Sequence, residues 1–479
     1  MFALLLSFLF YTQPDADATQ AASLQALGYK YEVSDSTSNN HVEIDNVFVI
    51  GNIKTKKKII LREMDVARGQ SISEAELKEL LEADRKKIIN TRLFNDVELS
   101  ILKLSETKVD VVVKVSERWY TWPAPIFKLV DRNFNDWWQN QNRDFSRVNY
   151  GLKLVKYNFR GRNETVKLTL QLGFTRNIEL QYRVPYVDKA QRQGLSFVAG
   201  YSENNNIAVR TVNHKPVFLD SDDVLLTRRK FGLGYRFRNS FYSTHRFNIE
   251  YQHNNIADTI ANLNTDYYLG GRTTQKFFSA RYRFTLDRRD FAAYSLNGYL
   301  WNISALKLGL GIHDDIDNFL ININHSKFID LKKGYYFSNY SALQMSFPER
   351  QPYANLSALG FDKNFIRGYE LFLIEGQNYY LNRTTFKKRI LSTKKRIGLI
   401  PVRQFREIPL QIFFKTYFDM GYSENYEDYF ENRTLSNRYL FGTGIGLDIV
   451  TYYDSVIRTE LTANREGDVG FFLHFKKDF

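Results

Sequence analysis

One arginine in the C-terminal half is distinguished by its immediate neighbours. Arg367 lies between Ile366 and the pair Gly368 and Tyr369, in the segment GFDKNFIRGYELFLIEG. A guanidinium can bind a carboxylate through two parallel hydrogen bonds, which the ammonium of a lysine cannot reproduce. The first chemical expectation is therefore a bidentate ion pair. Gly368 would permit a close backbone approach, and Tyr369 could pack beside the pair.

Three carboxylates in later segments are candidate partners for this guanidinium. Asp419 alternates with apolar residues in LQIFFKTYFDMG, where Phe418 faces one side and Lys415 and Asp419 face the other. Asp448 and Glu460 occupy polar faces of two further alternating segments. Residues two apart in a strand share a face, so each of these carboxylates can point toward a common interior. A solvated loop is the alternative interpretation, because an Arg-Gly-Tyr tripeptide also occurs by chance.

Motifs of the common enzyme classes are missing from the sequence. It contains no G-x-S-x-G, P-loop, G-x-G-x-x-G or H-E-x-x-H pattern. The chain has no Cys, which excludes a thiolate nucleophile, a disulfide scaffold and a cysteine zinc site. His245 and His253 share a strand face but lie about 26 Å apart at strand rise, too far to share a metal. We expect no catalytic activity, no metal site and no cofactor.

The composition combines many aromatic residues with an excess of positive charge. The 479 residues include 31 Tyr and 38 Phe, and the formal net charge is +13. Residues 119–479 hold 50 basic and 35 acidic side chains, so most of the excess lies there. A basic surface can bind nucleic acid, but no nucleic-acid-binding module is recognisable. Attraction to anionic lipid headgroups, or a basic barrel lumen, fits this composition better.

From Trp119 onward the apolar residues follow a period of two. TVKLTLQLGF and FSARYRFTLD place Leu, Phe and Tyr on one face, and Lys, Arg and Gln on the other. A soluble sandwich also alternates, but charged residues in mid-strand opposite an aromatic face indicate lipid outside and a wet lumen inside. The pattern predicts a 16-stranded antiparallel transmembrane β-barrel. The strands are expected at 123–131, 147–158, 163–175, 177–186, 194–203, 229–239, 244–256, 276–286, 297–311, 317–328, 333–347, 376–388, 409–421, 438–449, 455–464 and 468–479.

The lengths of the connections indicate which side of the membrane each one faces. If the first strand starts in the periplasm, the long connections 204–228, 257–275, 348–375 and 422–437 are all extracellular. The periplasmic turns are mostly shorter, with 389–408 as an exception. The Arg367 motif then lies in the extracellular loop after strand eleven.

The N-terminal part differs from the barrel region. Residues 1–18 have an apolar stretch followed by Ala16-Asp17-Ala18, as expected for a signal peptide, although a buried strand or a wrongly assigned start is the alternative. Residues 19–40 form a polar linker. Residues 41–118 predict a small β-α-α-β-β domain, whose longer helix begins after Ser73 with Glu76 three residues on. No window of 18 uncharged apolar residues predicts a transmembrane helix.

Two parts of the chain resemble known families. Residues 41–118, with RLFNDV between helix and strand, resemble the POTRA domain, and a generic small α+β domain is the alternative. Residues 41–479 resemble the BamA-type (BamA/TamA, bacterial surface antigen) assembly and secretion superfamily. In that family an Ile/Val-Arg-Gly-aromatic motif in the sixth extracellular loop folds into the lumen. Its Arg is held by the Asp of an aromatic-x-Asp-x-Gly motif on strand thirteen.

The chain matches both of these motifs. Ile366, Arg367, Gly368 and Tyr369 match the first, and Tyr417, Asp419 and Gly421 match the second. The resemblance therefore implies that Arg367 pairs with Asp419, with Asp448 or Glu460 as second partners. Further matches lie in turns and at the C-terminus: Asn158, Gly161 and Asn163 after strand two; Asp287, Arg289, Asp290 and Gly298 after strand eight, without the family's Pro; and a final strand that ends in Phe479.

The resemblance implies a transport factor in the bacterial outer membrane, with the POTRA-like domain in the periplasm. Such a factor would insert or translocate polypeptides through a seam between strands one and sixteen. Pro123 and Pro125 weaken strand one because they lack backbone donors. Phe475 and Phe479 lie in strand sixteen, which resembles the C-terminal signal that assembly machinery reads on barrel substrates. The expected partners are outer-membrane lipids or lipopolysaccharide, unfolded outer-membrane or secreted polypeptides, and periplasmic or lipoprotein accessory subunits, but no nucleic acid.

Two alternative functions stay open at this point. One is a passive pore or structural barrel whose POTRA-like domain only docks a partner. The other is a secretion translocator for a single dedicated partner. A single POTRA-like domain departs from the multi-domain assembly factors, which puts a general insertase in doubt.

Overall fold

A computed structural model describes most of the chain, which divides into two compact units, residues 1–118 and 119–479. The predicted signal peptide and linker lie outside the described residues. The described residues are 41–129, 143–145, 148–313, 315–356, 358–360, 364–396, 407–426, 432, 434–451 and 455–476.

The first unit is a four-stranded sheet with two helices. Its elements are β1 (His41–Ile50), α1 (Lys57–Leu61), β2 (Ser71–Ser73), α2 (Glu74–Ile89), β3 (Phe94–Lys103) and β4 (Lys108–Glu117). The strand order is β2-β1-β4-β3, with β1 parallel to β4. Ser73 caps α2, because its hydroxyl accepts a hydrogen bond from the N–H of Glu76. The POTRA-like architecture is confirmed, and the short β2 is an addition that the sequence pattern did not predict.

The second unit is built on one antiparallel sheet of sixteen strands, which join in chain order from β5 to β22. A separate hairpin, β10 (Asn206–Val212) and β11 (Lys215–Asp220), and a short helix, α3 (Asp258–Leu263), lie in two of its loops. The strands of the large sheet are β5 (Thr121–Leu129), β6 (Val148–Phe159), β7 (Glu164–Gly173), β8 (Thr175–Val184), β9 (Gln193–Asn204), β12 (Leu226–Arg238), β13 (Ser243–Ile256), β14 (Thr274–Asp287), β15 (Gly298–Leu308), β16 (Asn318–Asp330), β17 (Tyr335–Phe347), β18 (Asn378–Arg396), β19 (Glu407–Glu424), β20 (Tyr439–Val450), β21 (Val456–Asn464) and β22 (Val469–Lys476).

The two faces of this sheet differ as the alternation predicted. On β19, Phe414 and Phe418 are 41% and 52% exposed, whereas Lys415 and Asp419, each the next residue along the strand, are buried. A water-soluble protein would bury the phenylalanines and expose the charges, so this inversion fits an outer face in lipid. The sixteen-stranded, BamA-like barrel architecture is therefore confirmed. In the described part of the chain, no helix has the length and apolar character needed to cross a bilayer.

The twelfth and thirteenth strands of the sheet, β18 and β19, are longer than predicted. The connection 389–408 was expected to be an unusually long periplasmic turn, but β18 and β19 pair from Asn378↔Glu424 as far as Arg396↔Glu407. The extra pairs carry Lys394, Lys395 and Arg396, which lack the apolar alternation of a lipid-facing strand. The prediction stopped at 388 because that alternation ends there, although the hydrogen-bonded ladder continues.

Candidate functional site

The loop between β17 and β18 carries the Arg367 motif into the interior of the sheet. Ile366 and Tyr369 are almost fully buried, and Arg367 is only 7% exposed. Ile366 and Tyr369 pack in one apolar cluster with residues of the same loop, of β17, β18 and β20, and of the loop before β20. A solvated surface loop would expose these side chains, so the loop folds inward.

Arg367 and Asp419 form a bidentate pair. The Arg367 Nε donates to Asp419 Oδ2 at 2.8 Å, and its Nη2 donates to Asp419 Oδ1 at 2.5 Å. The backbone N–H of Arg367 also donates to Asp419 Oδ2, at 3.0 Å. Nη2 further donates to the hydroxyl of Thr385, and the guanidinium lies 3.8 Å from the centre of the Tyr417 ring. Three donors from one residue thus converge on a single buried carboxylate.

Burial alone would lower the pKa of Arg367, because desolvation disfavours its charge. The charge of Asp419 and its hydrogen bond, together with Glu460, outweigh burial and raise the pKa of Arg367 instead. The guanidinium therefore stays protonated in the interior.

A second layer of charges surrounds this pair. Glu460 lies 3.6 Å from Arg367 Nη1, as expected for a second partner. Asp448 does not reach Arg367: it accepts a hydrogen bond from Lys415 Nζ at 2.6 Å, and Lys415 also binds Glu460 at 2.6 Å. The expectation of Asp448 as a direct second partner is therefore replaced by a chain of contacts through Lys415. We call Arg367, Lys415, Asp419, Asp448 and Glu460 the latch cluster.

Glycines on the neighbouring strands make room for the loop. A Cβ atom on Gly442 would lie 1.7 Å from the carbonyl oxygen of Arg367, and one on Gly421 would lie 2.4 Å from Ile366 Cδ1. Gly368 has a φ of +98°, which favours glycine, and its carbonyl accepts a hydrogen bond from Asn464. These glycines are needed because the loop backbone contacts the wall directly.

Tyr369 connects the loop to the residues that follow β21. Its hydroxyl donates to the carboxylate of Glu466, which follows β21. Burial and this hydrogen bond raise the pKa of Tyr369 well above its ordinary value. On the other side, Arg383 Nε donates to the carbonyl of Phe365 at 2.8 Å. The motif is thus held at several points as well as by its ion pair.

A turn at the opposite ends of the strands from this loop also reaches the latch cluster. Tyr294, between β14 and β15, donates its hydroxyl to Asp448 Oδ2 at 2.8 Å. The turn begins with a bidentate pair between Arg289 and Asp287 and ends at Gly298, whose φ is +102°. These are residues of the motif that the sequence placed after strand eight. The strand-two turn is similarly ordered, because Asn163 N–H donates to the Asn158 side chain.

One group among the described residues has the spacing of metal ligands. Single ligand atoms of Glu370, Glu460 and His474 lie within 4.8 Å of one another. Two carboxylates and an imidazole suit a divalent transition metal. However, Lys415 and Arg367 already face Glu460, and their charges oppose a further cation there. We interpret the group as a link between the loop, β21 and the last strand, β22.

The predicted seam residues lie at the two edges of the sheet. Pro123 and Pro125 are in β5, where they face Leu154 and Leu152 of β6. Phe475 is in β22, opposite Ile457 of β21, and Phe479 lies outside the described residues. Across residues 121–129 and 469–476, no ladder pair joins β5 to β22. The edge strands are thus the first and last of the large sheet.

Several residues of the site were not anticipated from the sequence. Lys415 was predicted to face inward, but no pattern indicated that it would join Asp448 to Glu460. Tyr294 and Thr385 gave no signal, because a turn tyrosine and a strand threonine are common. The role of Gly442 in the segment GTGIGLD was likewise not anticipated, because its close approach to the carbonyl oxygen of Arg367 depends on the folded loop.

Comparisons with known proteins agree with this architecture. A family model described as the Omp85 superfamily domain matches residues 158–451, which is more than half of the chain. A second model, described as POTRA, surface antigen variable number repeat, matches residues 42–118. Curated proteins gave no match by sequence.

Solved structures with a similar fold include BamA from Haemophilus ducreyi lacking POTRA domains 1–3. The identity is 14% and the TM-score 0.51, over 91% of this chain and 84% of that chain. CdiB from Escherichia coli gives 12% identity and a TM-score of 0.49, over 98% of this chain and 99% of that chain. At 14% identity, the likeness to BamA concerns the fold alone.

Proposed function

The chain belongs to the Omp85 superfamily, and we propose that it is a bacterial outer-membrane factor that inserts or translocates other polypeptides through the seam between β5 and β22. The POTRA-like domain would lie in the periplasm and receive clients there. Its partners would be outer-membrane lipids or lipopolysaccharide, unfolded outer-membrane or secreted polypeptides, and periplasmic or lipoprotein accessory subunits.

The observation that carries the proposal is the loop held against one side of the barrel by the latch cluster. The loop contacts β18, β19, β20 and β21 through Thr385, Asp419, Gly442 and Glu460. The loop therefore links these four strands by contacts additional to the backbone hydrogen bonds between them. The junction of β5 with β22 has no such reinforcement among the described residues, so it is the place where the wall can open at least cost.

The first strand supports this role for the seam. Pro123 and Pro125 are two residues apart, so their missing N–H groups lie on the same edge of β5. Because β5 already pairs with β6, we assign that edge to the seam. An edge that lacks donors pairs weakly with β22, and a client strand could then compete for the remaining backbone groups of either edge.

The extracellular loops disfavour a passive pore. The hairpin β10–β11 places His214 among the other loops. The backbone N–H of His214 donates to Asn432 Oδ1, and its ring Nε2 accepts from the backbone N–H of Leu435. Thr211 hydrogen-bonds with Tyr353 in the loop before β18. Burial lowers the pKa of His214, which keeps the ring neutral and able to accept. Loops that bind one another this closely would obstruct free diffusion through the lumen.

Disulfide locking of the seam tests the proposal. The chain contains no Cys, so introduced pairs are the only thiols. Pairs between residues 126–129 and 470–476 should crosslink under oxidising conditions, and the locked protein should lose its ability to support client assembly. A matched control is Leu154→Cys with Leu168→Cys, which are register partners on β6 and β7 away from the seam. That pair should crosslink without loss of function.

The readout is the outer-membrane proteome after depletion and complementation. Loss of many barrel proteins would indicate an insertase, and loss of one secreted protein a dedicated translocator. Full complementation by a quantitatively locked seam would refute lateral opening. An unchanged proteome after depletion would favour a structural or passive role.

A further inference from the structure

A set of basic side chains faces the interior of the sheet on strands remote from the latch cluster. They alternate with exposed apolar residues such as Leu170, Phe231 and Ile249, which face the opposite side. We call this set the cationic wall. It consists of Lys153 on β6, Lys167 on β7, Arg183 on β8, Arg236 on β12, Arg246 on β13, and Arg281 and Arg283 on β14.

Three of these arginines form a row across adjacent strands. Arg246 is the direct register partner of Arg236 on one side and of Arg283 on the other. Arg183 lies close enough to add a further repulsive charge to Arg246. Like charges directly opposite each other destabilise a sheet. A row of this kind therefore costs folding free energy that an ordinary pair would not.

Few carboxylates are available to offset the row. Glu179 on β8 is bound to Lys230 of β12. Glu250 on β13 accepts a hydrogen bond from Gln252 and attracts Arg281 at the edge of the wall. Within the described residues, the guanidinium groups of Arg246 and Arg283 take part in no ion pair or hydrogen bond. Their positive charge is thus available to an external anion.

The interior surface beside the row consists mostly of neutral side chains. Val198 and Ser196 of β9, and Asn248 and Glu250 of β13, lie over Gly232 and Gly234 of β12. The wall also faces the lumen and lies on the opposite side from the lipid-facing residues. An occupant must therefore enter the lumen, which favours an extended polypeptide over a membrane lipid.

We propose that the cationic wall binds acidic, unfolded stretches of the polypeptides that the barrel handles. Glu and Asp carboxylates would pair with the guanidinium groups of Arg246 and Arg283, whose planar forks suit carboxylates. The ligand class rests on the proposed function, because a transport factor brings unfolded polypeptide to this surface. The wall would hold an acidic segment while the seam accepts a strand.

The test uses the purified full chain in nanodiscs of zwitterionic lipid and fluorescence anisotropy of labelled, unstructured peptides. The probes are a Glu-rich peptide and the same peptide with Gln or with Lys at the Glu positions. The Glu-rich peptide should bind at least about tenfold more tightly than the others, and added NaCl should weaken its binding.

Variants locate the binding to the wall. Arg246→Gln with Arg283→Gln should weaken binding of the Glu-rich peptide about tenfold, while the melting temperature stays equal or rises because repulsion is removed. Arg246→Lys with Arg283→Lys keeps the charge and should retain most of the binding. Lys327→Gln removes a cation that lies over Tyr299 on the outer face, and should change nothing.

Three results would overturn the inference. They are equal binding of the Glu and Gln peptides, binding that is unaffected by the double Gln variant, and displacement of the peptide when anionic lipid is included in the nanodisc. The last result would assign the wall to phosphate headgroups. Peptide binding does not depend on lateral opening, so a seam that proves inert would reject the proposed function and leave this result standing.

Discussion

Two walls of the same sheet differ in how their interior-facing charges are compensated. In the latch cluster on β19–β21, each cation has a carboxylate partner, and the loop from outside the sheet supplies the arginine. In the cationic wall on β6–β14, arginines face one another across the ladder with few carboxylates nearby. In the latch cluster the chain itself supplies a carboxylate for each cation, whereas the cationic wall has more cations than carboxylates.

The difference indicates which part of the lumen is structural and which is available to a ligand. Paired charges in a desolvated site fix a geometry, because removing one partner leaves the other uncompensated. Like charges that face one another across a ladder lower stability until an anion offsets them. Substitutions at the two walls should therefore have opposite effects on stability.

Loss of the Arg367 side chain should have the largest effect. Arg367→Ala leaves Asp419 and Glu460 buried without their guanidinium, which costs about 3–5 kcal/mol when a buried pair is broken. We expect faster protease cleavage in the loop between β17 and β18, a lower free energy of unfolding in lipid vesicles, and reduced client assembly.

Conservative variants sharpen this result. Arg367→Lys keeps the charge but loses the bidentate geometry, so it should rescue only part of the loop protection. Arg246→Ala in the cationic wall is the control, because it removes a partly buried, interior-facing arginine that has no carboxylate partner among the described residues. Equal destabilisation by Arg367→Ala and Arg246→Ala would remove the distinction between the walls.

Gly442→Ala should have the next largest effect. The added Cβ would overlap the carbonyl oxygen of Arg367, a backbone atom that cannot move unless the loop shifts. Overpacking of this kind costs about 1–3 kcal/mol. Gly200→Ala on β9 is the matched strand glycine, and its Cβ would meet only the flexible side chains of Lys230 and Glu179. Loop cleavage should rise for Gly442→Ala alone, and equal cleavage of both variants would contradict direct packing.

A smaller, pH-dependent effect is expected at Glu370. Burial raises its pKa from 4.5 to about 7, and Glu460 adds to this rise, whereas the N–H of Gly368 and nearby His474 act against it. The docked loop then holds a proton that the undocked loop releases. Its contribution to docking is complete below about pH 4.5 and is lost as the pH rises through about 7.

Loop cleavage measured across this range checks the Glu370 effect. Cleavage should be slower at acidic pH and should become faster as the pH rises toward 7. Glu370→Gln is neutral at every pH and should remove most of this dependence. A Glu370→Gln profile as steep as that of the unmodified chain would assign the titration to another group.

Much of this architecture could be predicted from the sequence, because lipid and water impose a two-residue alternation on every strand. The sixteen strands appear close to their predicted positions. The hairpin β10–β11 and helix α3 were not predicted, since loops outside the bilayer are free of that constraint. The same is true of the extension of β18 to Arg396.

The candidate site was predictable only in part. The inward positions of Asp419, Asp448 and Glu460 follow from alternation, but partner choice depends on depth and on side-chain reach. Asp448 therefore binds Lys415 instead of Arg367. Contacts between a turn and a distant strand, such as Tyr294 with Asp448 of β20, have no local signal in the sequence.

A double-mutant cycle on Arg367 and Asp419 tests the latch cluster most directly. Arg367→Ala, Asp419→Ala and the double variant are compared by loop protection and by free energy of unfolding in lipid vesicles. If the pair acts as one unit, the double variant is no less stable than the worse single variant, with a coupling free energy of about 1–3 kcal/mol. Simple additivity, or a loop that is equally protease-sensitive before and after mutation, would show that Arg367 is a solvated surface charge and would contradict the account.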